Sequence, residues 1–282
     1  MADARCAGAE EEWAAVVSSA GSKSLYLKKH SQFDAASVID FLLRDRDNPS
    51  SVMSVVEAAR NNARLVRTAL TREVWEATNE CWITLKDLLA KPVTTRELPA
   101  VLGTVRQQSA LVRGAMHGTM LRNDIYDFAR LGTFLERADN TARILDVKYY
   151  VLLPSVSFIG SSLDNVQWES ILRSVSGQRA YRWLNQGDIN PLSIAEFLIL
   201  DVRMPRSLAF CSSKIRTNLN YLANDYDQRH QSHDMTDAIS ANLQEQTIQS
   251  IFESGLHEFI ERFIQDNIAL GNQIERDYRF YG

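Results

Sequence analysis

Phe41-Leu42-Leu43-Arg44-Asp45-Arg46-Asp47-Asn48-Pro49-Ser50-Ser51 is matched further along the chain by Phe197-Leu198-Ile199-Leu200-Asp201-Val202-Arg203-Met204-Pro205-Arg206-Ser207. The two stretches lie 156 residues apart and share an apolar triplet, an aspartate, a proline and a serine in one spacing. Working outward at that offset, Ser37-Val38 meets Ser193-Ile194, Arg60 meets Arg216 and Asn62 meets Asn218. Toward the amino terminus the offset becomes 155, and Tyr26 meets Tyr181, Ser19 meets Ser174, Val16-Val17 meets Ile171-Leu172 and Trp13 meets Trp168. One inserted residue reconciles the two offsets. Amphipathic helices alike only in composition would not keep Asp-x-x-x-Pro-x-Ser, so the spacing predicts an internal duplication.

Apolar residues recur with the period of an α-helix. Val52, Val55, Val56, Ala59, Ala63, Val66 and Leu70 form one stripe, with Asn48-Pro49 ahead of it in the pattern of an N-cap and a first-turn proline. Val74, Trp75, Thr78, Trp82, Leu85 and Leu88 form a second, ended by Pro92. A third starts near Pro99 and reaches a break at Gly114 and Gly118; a fourth runs from about Asn123 to Leu153 and stops at Pro154. The last strong stripe joins Ile248, Ile251, Phe252, Leu256, Phe259, Ile260, Phe263 and Ile264. No segment alternates with period two, and the 12 glycines and 6 prolines are few for this length, so the expected fold class is all-α, a multi-helix bundle. The expected organisation is a single domain over 1–282: a first pseudo-repeat at 9–118, a second at 119–235 and C-terminal helices at 236–282.

The duplication predicts that the first copy lacks its opening helix. The stretch before the second copy, 135–147, has a counterpart that falls about 19 residues upstream of Met1. The gap leaves apolar surface uncovered, so self-association into a homo-oligomer is expected.

Composition narrows the function classes. Thirty-one basic against 35 acidic residues give a net charge of −4, which argues against a nucleic-acid partner, because phosphate neutralisation needs clustered positive charge. Cys6, Cys81 and Cys211 are too few and too scattered for a disulfide framework or a cysteine-rich zinc site. The amino terminus lacks a signal-peptide pattern, and no apolar run approaches the roughly 18 residues of a membrane span, so a reducing cytoplasm and no membrane partner are expected.

On a helical wheel, Phe128, Leu131, Leu135, Ala138, Ala142, Leu145 and Tyr149 make an apolar stripe. Glu136, Asp139, Arg143 and Asp146 gather along one flank of it, so three carboxylates are expected around one guanidinium. Such a set serves either as ion pairing at i,i+3 and i,i+4 or as a preorganised site for a cation, an amine or a metal-bound phosphate. Asp124 falls in the helix's first turn, where a negative charge suits the dipole. Asp127 falls at the apolar edge and needs a partner such as Arg122. His117, between the two glycines, is placed to reach a cleft beside the acidic helix. Arg60, Arg64 and Arg67 form a basic stripe, which reads as a solvated face or a phosphate contact. His230 and His233 lie in the polar segment 225–237, and Trp13, Trp75, Trp82, Trp168 and Trp183 on or near apolar stripes, where core positions are expected. Gly-rich phosphate loops, His-Glu-x-x-His, Gly-x-Ser-x-Gly and Cys-x-x-Cys are absent from the sequence, and no cofactor is assigned.

Leu131-Gly132-Thr133-Phe134-Leu135-Glu136-Arg137-Ala138-Asp139-Asn140-Thr141-Ala142-Arg143-Ile144-Leu145-Asp146-Val147 resembles the signature of the bacterial alpha-E family. So do the two Phe-Leu-x-x-Asp stretches and Asp164-Asn165-Val166-Gln167-Trp168, and the resemblance covers nearly the whole chain. Family members typically open with another Glu-Arg-Ala-Glu-Asn-type helix, and carry Met-Leu-Arg-Asp-Glu-type sequences before the second signature. This chain has Met120-Leu121-Arg122-Asn123-Asp124 there, with the carboxylate displaced by one position. The resemblance implies a setting beside ATP-grasp ligase-like and transglutaminase-like proteins, in a bacterial peptide or amide-bond modification system. It implies no activity for the alpha-E component itself.

Two functional readings follow, beside a third in which the chain is a scaffold whose acidic helix merely pairs with the other helices. One is an accessory helical protein that binds an ATP-grasp-type ligase or its peptide or amino-acid substrate. The other is an enzyme with its own acidic site, with or without a divalent metal. The candidate binding residues under both are Arg122, Asp124, Glu136, Asp139, Asn140, Arg143, Asp146 and His117.

Overall fold

The computed structural model describes residues 2–150, 162–185 and 190–279, with side chains described for 10–146, 166–185 and 190–279. The expected helix end at Leu153 and Pro154 and the side chains of Cys6, Tyr149, Asp164 and Asn165 lie outside these. Every regular element among the described residues is helical, so the chain is all-α, as its periodicity predicts.

The chain divides into two compact units, 1–122 and 123–282. The first holds α1 (Ala2–Ser19), α2 (Lys23–Tyr26), α3 (Ala35–Leu43), α4 (Val52–Leu65), a short 3-10 turn (Arg67–Ala69), α5 (Arg72–Leu88) and α6 (Leu98–Thr119). The second holds α7 (Asp124–Tyr150), α8 (Ser162–Ser174), α9 (Gln178–Leu184), α10 (Pro191–Ile199), α11 (Leu208–Tyr226), α12 (Gln231–Glu245), α13 (Ile248–Ser254) and α14 (Leu256–Asp277).

In the first unit, Val17, Tyr26, Val38 and Phe41 make one buried cluster, and Ile39, Leu43, Met53, Leu89, Val93 and Val101 make another. Tyr26 stacks on Phe33 at 4.8 Å, meets Phe41 edge-on at 5.0 Å and donates its hydroxyl to the Gln32 carbonyl. Such aromatic pairing adds to simple burial. In the second unit α7 packs against α11 and α14. Its Phe134, Ala138 and Ala142 are fully buried, and Leu145 nearly so. Alanine at two successive turns lets a neighbouring helix approach closely. α10 is apolar almost all round, and Ile194, Ala195, Phe197, Leu198 and Ile199 all disappear into the core, as expected of a helix surrounded by others.

Two turns recur with the predicted spacing. After α1, Gly21 N–H bonds Ser18 O, Ser22 N–H bonds Val17 O and Tyr26 N–H bonds Ser22 O. After α8, 155 residues on, Ser176 N–H bonds Arg173 O, Gly177 N–H bonds Leu172 O and Tyr181 N–H bonds Gly177 O. Both are Schellman closures, in which one residue enters the left-handed region: Gly21 at φ 67° and Ser176 at φ 57°. The second turn follows α3 and α10. Asp45 N–H and Asp201 N–H bond the carbonyls of Asp40 and Glu196, while Asp45 Oδ1 accepts Asp47 N–H at 2.9 Å and Asp201 Oδ1 accepts Arg203 N–H at 2.8 Å. Each turn then delivers a serine as the next N-cap: Ser51 Oγ accepts Ser54 N–H, and Ser207 Oγ accepts Phe210 N–H.

Several expectations change. The cap of α4 is Ser51, not Asn48. Asn48 is buried within the turn, where its Nδ2 donates to Phe41 O and its Oδ1 accepts Ser50 N–H. α6 continues unbroken through Gly114 and Gly118, because solvent-facing glycines cost a helix about 1 kcal/mol each without ending it. The last stripe is two helices, parted at Gly255 with φ 101°. Trp168 is buried and Trp13, Trp75 and Trp82 are half-buried, but Trp183 is 85% exposed and is no core residue.

Candidate functional site

The charged flank of α7 resolves into separate pairs. Arg143 takes Asp139 with both ends of its fork, Nε to Oδ2 at 2.6 Å and Nη2 to Oδ1 at 3.1 Å. Both side chains are about a quarter exposed, and an i,i+4 pair of this kind contributes about 0.5 kcal/mol. Asp146 does not complete a triad of carboxylates around that guanidinium. It turns to α14, where His257 Nδ1 lies 2.6 Å from its Oδ1, while His257 Nε2 lies 3.3 Å from Glu261. The reason is geometric: Arg143's fork is already filled by one carboxylate, and α14 brings an imidazole to the other side. Next along α7, Asn267 Nδ2 donates to Leu135 O, a second polar stitch between the same two helices.

Glu136 stands without an ion pair among the described residues. Burial pushes its carboxyl above the ordinary glutamate value, Asp139's charge adds to the rise, and Arg143 opposes it. Asn140 bonds back to the Glu136 carbonyl and stays exposed. Thr141 is fully buried, and its hydroxyl has no hydrogen-bond partner among the described residues.

The remaining candidates lie elsewhere. Asp124 Oδ2 accepts the Tyr226 hydroxyl at 2.6 Å, and this bond, chiefly, holds the phenol pKa up to about 12. Arg122 donates to the carbonyls of Met120 and His117, closing the end of α6. His117 is exposed on the last turn of that helix, not in a break. Asp127 is buried on the first turn of α7. Of the basic stripe, Arg60 bonds Asn79 at 2.8 Å and Arg67 covers the Trp75 ring at 5.1 Å. His230 is the N-cap residue of α12, and His233 is buried in its first turn with Nδ1 accepting the His230 N–H and Nε2 against the Leu219 carbonyl. No group of three or more His, Cys, Asp or Glu placed to hold a metal occurs among the described residues.

Sequence reasoning missed His257, Asn267 and Tyr226, which make polar contacts with α7. Each sits within or beside an apolar stripe more than 100 positions away from its partner, so periodicity carries no sign of it. A cavity of about 280 Å³ between α11 and α12 was also unforeseen. The Ser212 and Ser240 hydroxyls meet in it at 2.9 Å, and Arg216 stands there beside Asp237.

An all-helical protein whose longest central helix carries a Glu-Arg signature is the class that this fold and flank define. The family model described as "a predicted alpha-helical domain with a conserved ER motif" matches residues 1–279, and the chain belongs to this Alpha-E family. Glu-Arg dipeptides occur at 136–137, 261–262 and 275–276; the first lies in the signature stretch of α7. No curated protein and no solved structure matches the chain. No helix among the described residues is long and apolar enough to cross a membrane.

Proposed function

We propose that this Alpha-E chain is a duplicated helical binding module, accessory to an ATP-grasp-type amide or peptide ligase. The observation that carries the accessory reading is how the α7 flank spends its charge. Asp139 is taken by Arg143 within α7, while Asp146 and Asp124 tie α7 to α14 and α11 through His257 and Tyr226, so these carboxylates are spent in separate pairs instead of facing a common reacting centre. General acid–base chemistry needs groups converging on one substrate atom, and the flank disperses them. The recurring turns after α1 and α8, and after α3 and α10, support the duplication. The ligase setting comes from the alpha-E resemblance. Its test is co-purification of the full chain with the neighbouring ligase. No complex on co-purification, together with full ligase activity when the chain is absent, would overturn it.

A second reading, an enzyme with an acidic site, rests on Glu136, whose carboxyl burial raises above the ordinary glutamate value and which has no ion pair among the described residues. Titrating divalent metals against thermal stability tests it, since a ligand bound only by the folded state raises Tm with concentration. A shift that survives Glu136→Gln unchanged would remove Glu136 from the site.

A further inference from the structure

The helices that follow the Ser51 cap keep contacts found again in those that follow Ser207. Arg60 on α4 bonds Asn79 on α5, and Arg216 on α11 bonds Asp237 on α12. Thr78 and Thr236, one position before those acceptors, are both buried, and each donates to the carbonyl four residues back. α5 and α12 therefore correspond at an offset of 158. At the same offset α6 falls on α14, each 22 residues long, with Leu98 on Leu256, Val101 on Phe259 and Leu102 on Ile260.

In the second unit α7 lies against both α11 and α14. Cys211 faces it: burial pushes that thiol up to about 12, and the charge of Arg137 on α7 opposes the rise. The corresponding faces of the first unit meet solvent. Val55 on α4 is 51% exposed and Val66 at its end 48%, where Cys211 and Leu222 are fully buried. Ala59 and Asn62, between them, are exposed where Ile215 and Asn218 are buried. On α6, Leu102 is 46% exposed where Ile260 is fully buried. Ser109 replaces Asn267, the residue that bonds α7 at the Leu135 carbonyl, and Arg106 and Arg113 stand exposed at the positions of Ile264 and Gly271. Neither arginine has an ion pair among the described residues.

The first unit thus presents two apolar helix faces, both packed on α5, whose counterparts in the second unit hold an amphipathic helix between them. Two copies of this surface set on one another would oppose the same guanidiniums, so a second copy suits it poorly. A helix with an apolar stripe and an acidic flank suits both features. α7 is of that kind, and an acid of its flank, Asp146, is what reaches α14.

We propose that the α4 and α6 faces of the first unit form a docking site for an amphipathic helix of a partner protein, seated as α7 is seated in the second unit, with its apolar stripe on Val55, Val66 and Leu102 and its carboxylates toward Arg106 and Arg113. The assignment rests on the duplication and not on the ligase setting: a failed co-purification leaves it standing, and failed helix binding leaves the ligase reading standing. A fluorescent synthetic peptide of residues 124–146, which carries the sequence of α7, is the probe, with a scrambled peptide of the same composition as control. Both are titrated against the full chain and followed by fluorescence anisotropy. Saturable binding of the α7 peptide, weakened by salt, and none of the scrambled one are expected. Val55→Asp sets a carboxylate in the apolar contact from an exposed position and is expected to weaken binding about tenfold or more, with circular dichroism still helical. Arg106→Glu is expected to weaken it about threefold or more. If Val55→Asp disturbs α4, Arg106→Glu decides alone. Absence of saturable binding, equal binding of the scrambled peptide, or undiminished binding by folded variants would overturn the proposal. So would a dimer of the unaltered chain in sedimentation that Val55→Asp dissociates, because the occupant would then be a second copy.

Discussion

Gly21 and Ser176 occupy the same step of the same closure, yet Gly21 adopts φ 67° freely and Ser176 holds φ 57° with a Cβ. A left-handed conformation costs a non-glycine residue roughly 1–2 kcal/mol, through the approach of its Cβ to the following carbonyl. Glycine avoids that cost but loses more chain entropy on folding, about 0.5–1 kcal/mol. Ser176→Gly is therefore expected to stabilise the second unit by roughly 0.5–1 kcal/mol, and Gly21→Ser to destabilise the first by a similar amount. For a unit of this size, the gain is a rise of about 1–4 °C in Tm. Urea unfolding followed by helical circular dichroism reads both variants, with m unchanged if only stability moves. A lower midpoint for Ser176→Gly would refute the reasoning, since it would mean that Ser176 contributes more there than its backbone conformation costs. Opposite shifts of the two variants would support equivalence of the turns.

Three further outcomes follow from α7. Phe134 is fully buried, meets Phe210 at 6.0 Å and lies under the Arg130 guanidinium at 4.4 Å, so Phe134→Ala should cost about 3–5 kcal/mol in urea unfolding; a loss below about 1 kcal/mol would contradict the packing. Thr141→Val removes a buried hydroxyl that has no hydrogen-bond partner among the described residues and should stabilise by about 1 kcal/mol, whereas destabilisation would show that the hydroxyl is satisfied. Glu136's carboxyl is raised in the folded state, so the stability of its protonated form is fully present below the ordinary glutamate value and lost as pH rises through the raised one. Glu136→Gln should accordingly raise Tm at neutral pH, with the difference closing in acid; a variant less stable at neutral pH would reverse the sign of the argument.

What could be read from the residues was local. The aspartate–proline–serine spacing encodes a turn whose bonds join side chains to backbone a few residues away, so it is visible in one dimension. The stripe of α7 is legible for the same reason, with Leu131, Ala138, Ala142 and Leu145 buried as periodicity requires. Misreadings came where local signals compete. Gly114 and Gly118 weaken a helix without stopping it, and Asn48-Pro49 resembles a cap although Ser51 holds the amide. Trp183 illustrates a further limit, since an apolar residue beside a stripe can still face solvent. For the candidate site, the Asp139–Arg143 pair follows from i,i+4 spacing alone. Asp146's partner does not, because His257 lies 111 residues away and only the packing of α14 on α7 brings it near.

The two aspartate turns also separate what shapes the backbone from what balances charge. Asp45 and Asp201 receive the same backbone bonds, yet the cation arrives from Lys29 on another element in one case and from Arg203 within the turn in the other. The turn therefore depends on the carboxylate as acceptor and not on where its counter-charge originates. Lys29→Met should leave the turn and its Ser51 cap in place and shift the unfolding midpoint little. Asp45→Ala removes the acceptor of Asp47 N–H and Lys29's partner together, and should cost about 1 kcal/mol or more, the range for losing a side chain that satisfies backbone amides. Asp45's carboxyl is held below the ordinary aspartate value: burial alone would raise it, and the Lys29 bonds with Asp47's amide outweigh that. Its contribution is thus present above the ordinary value and lost as pH falls through the lowered one, so the gap between Asp45→Ala and the unaltered chain should narrow in acid. Equal losses from Lys29→Met and Asp45→Ala would show instead that the ion pair, and not the acceptor, holds the turn.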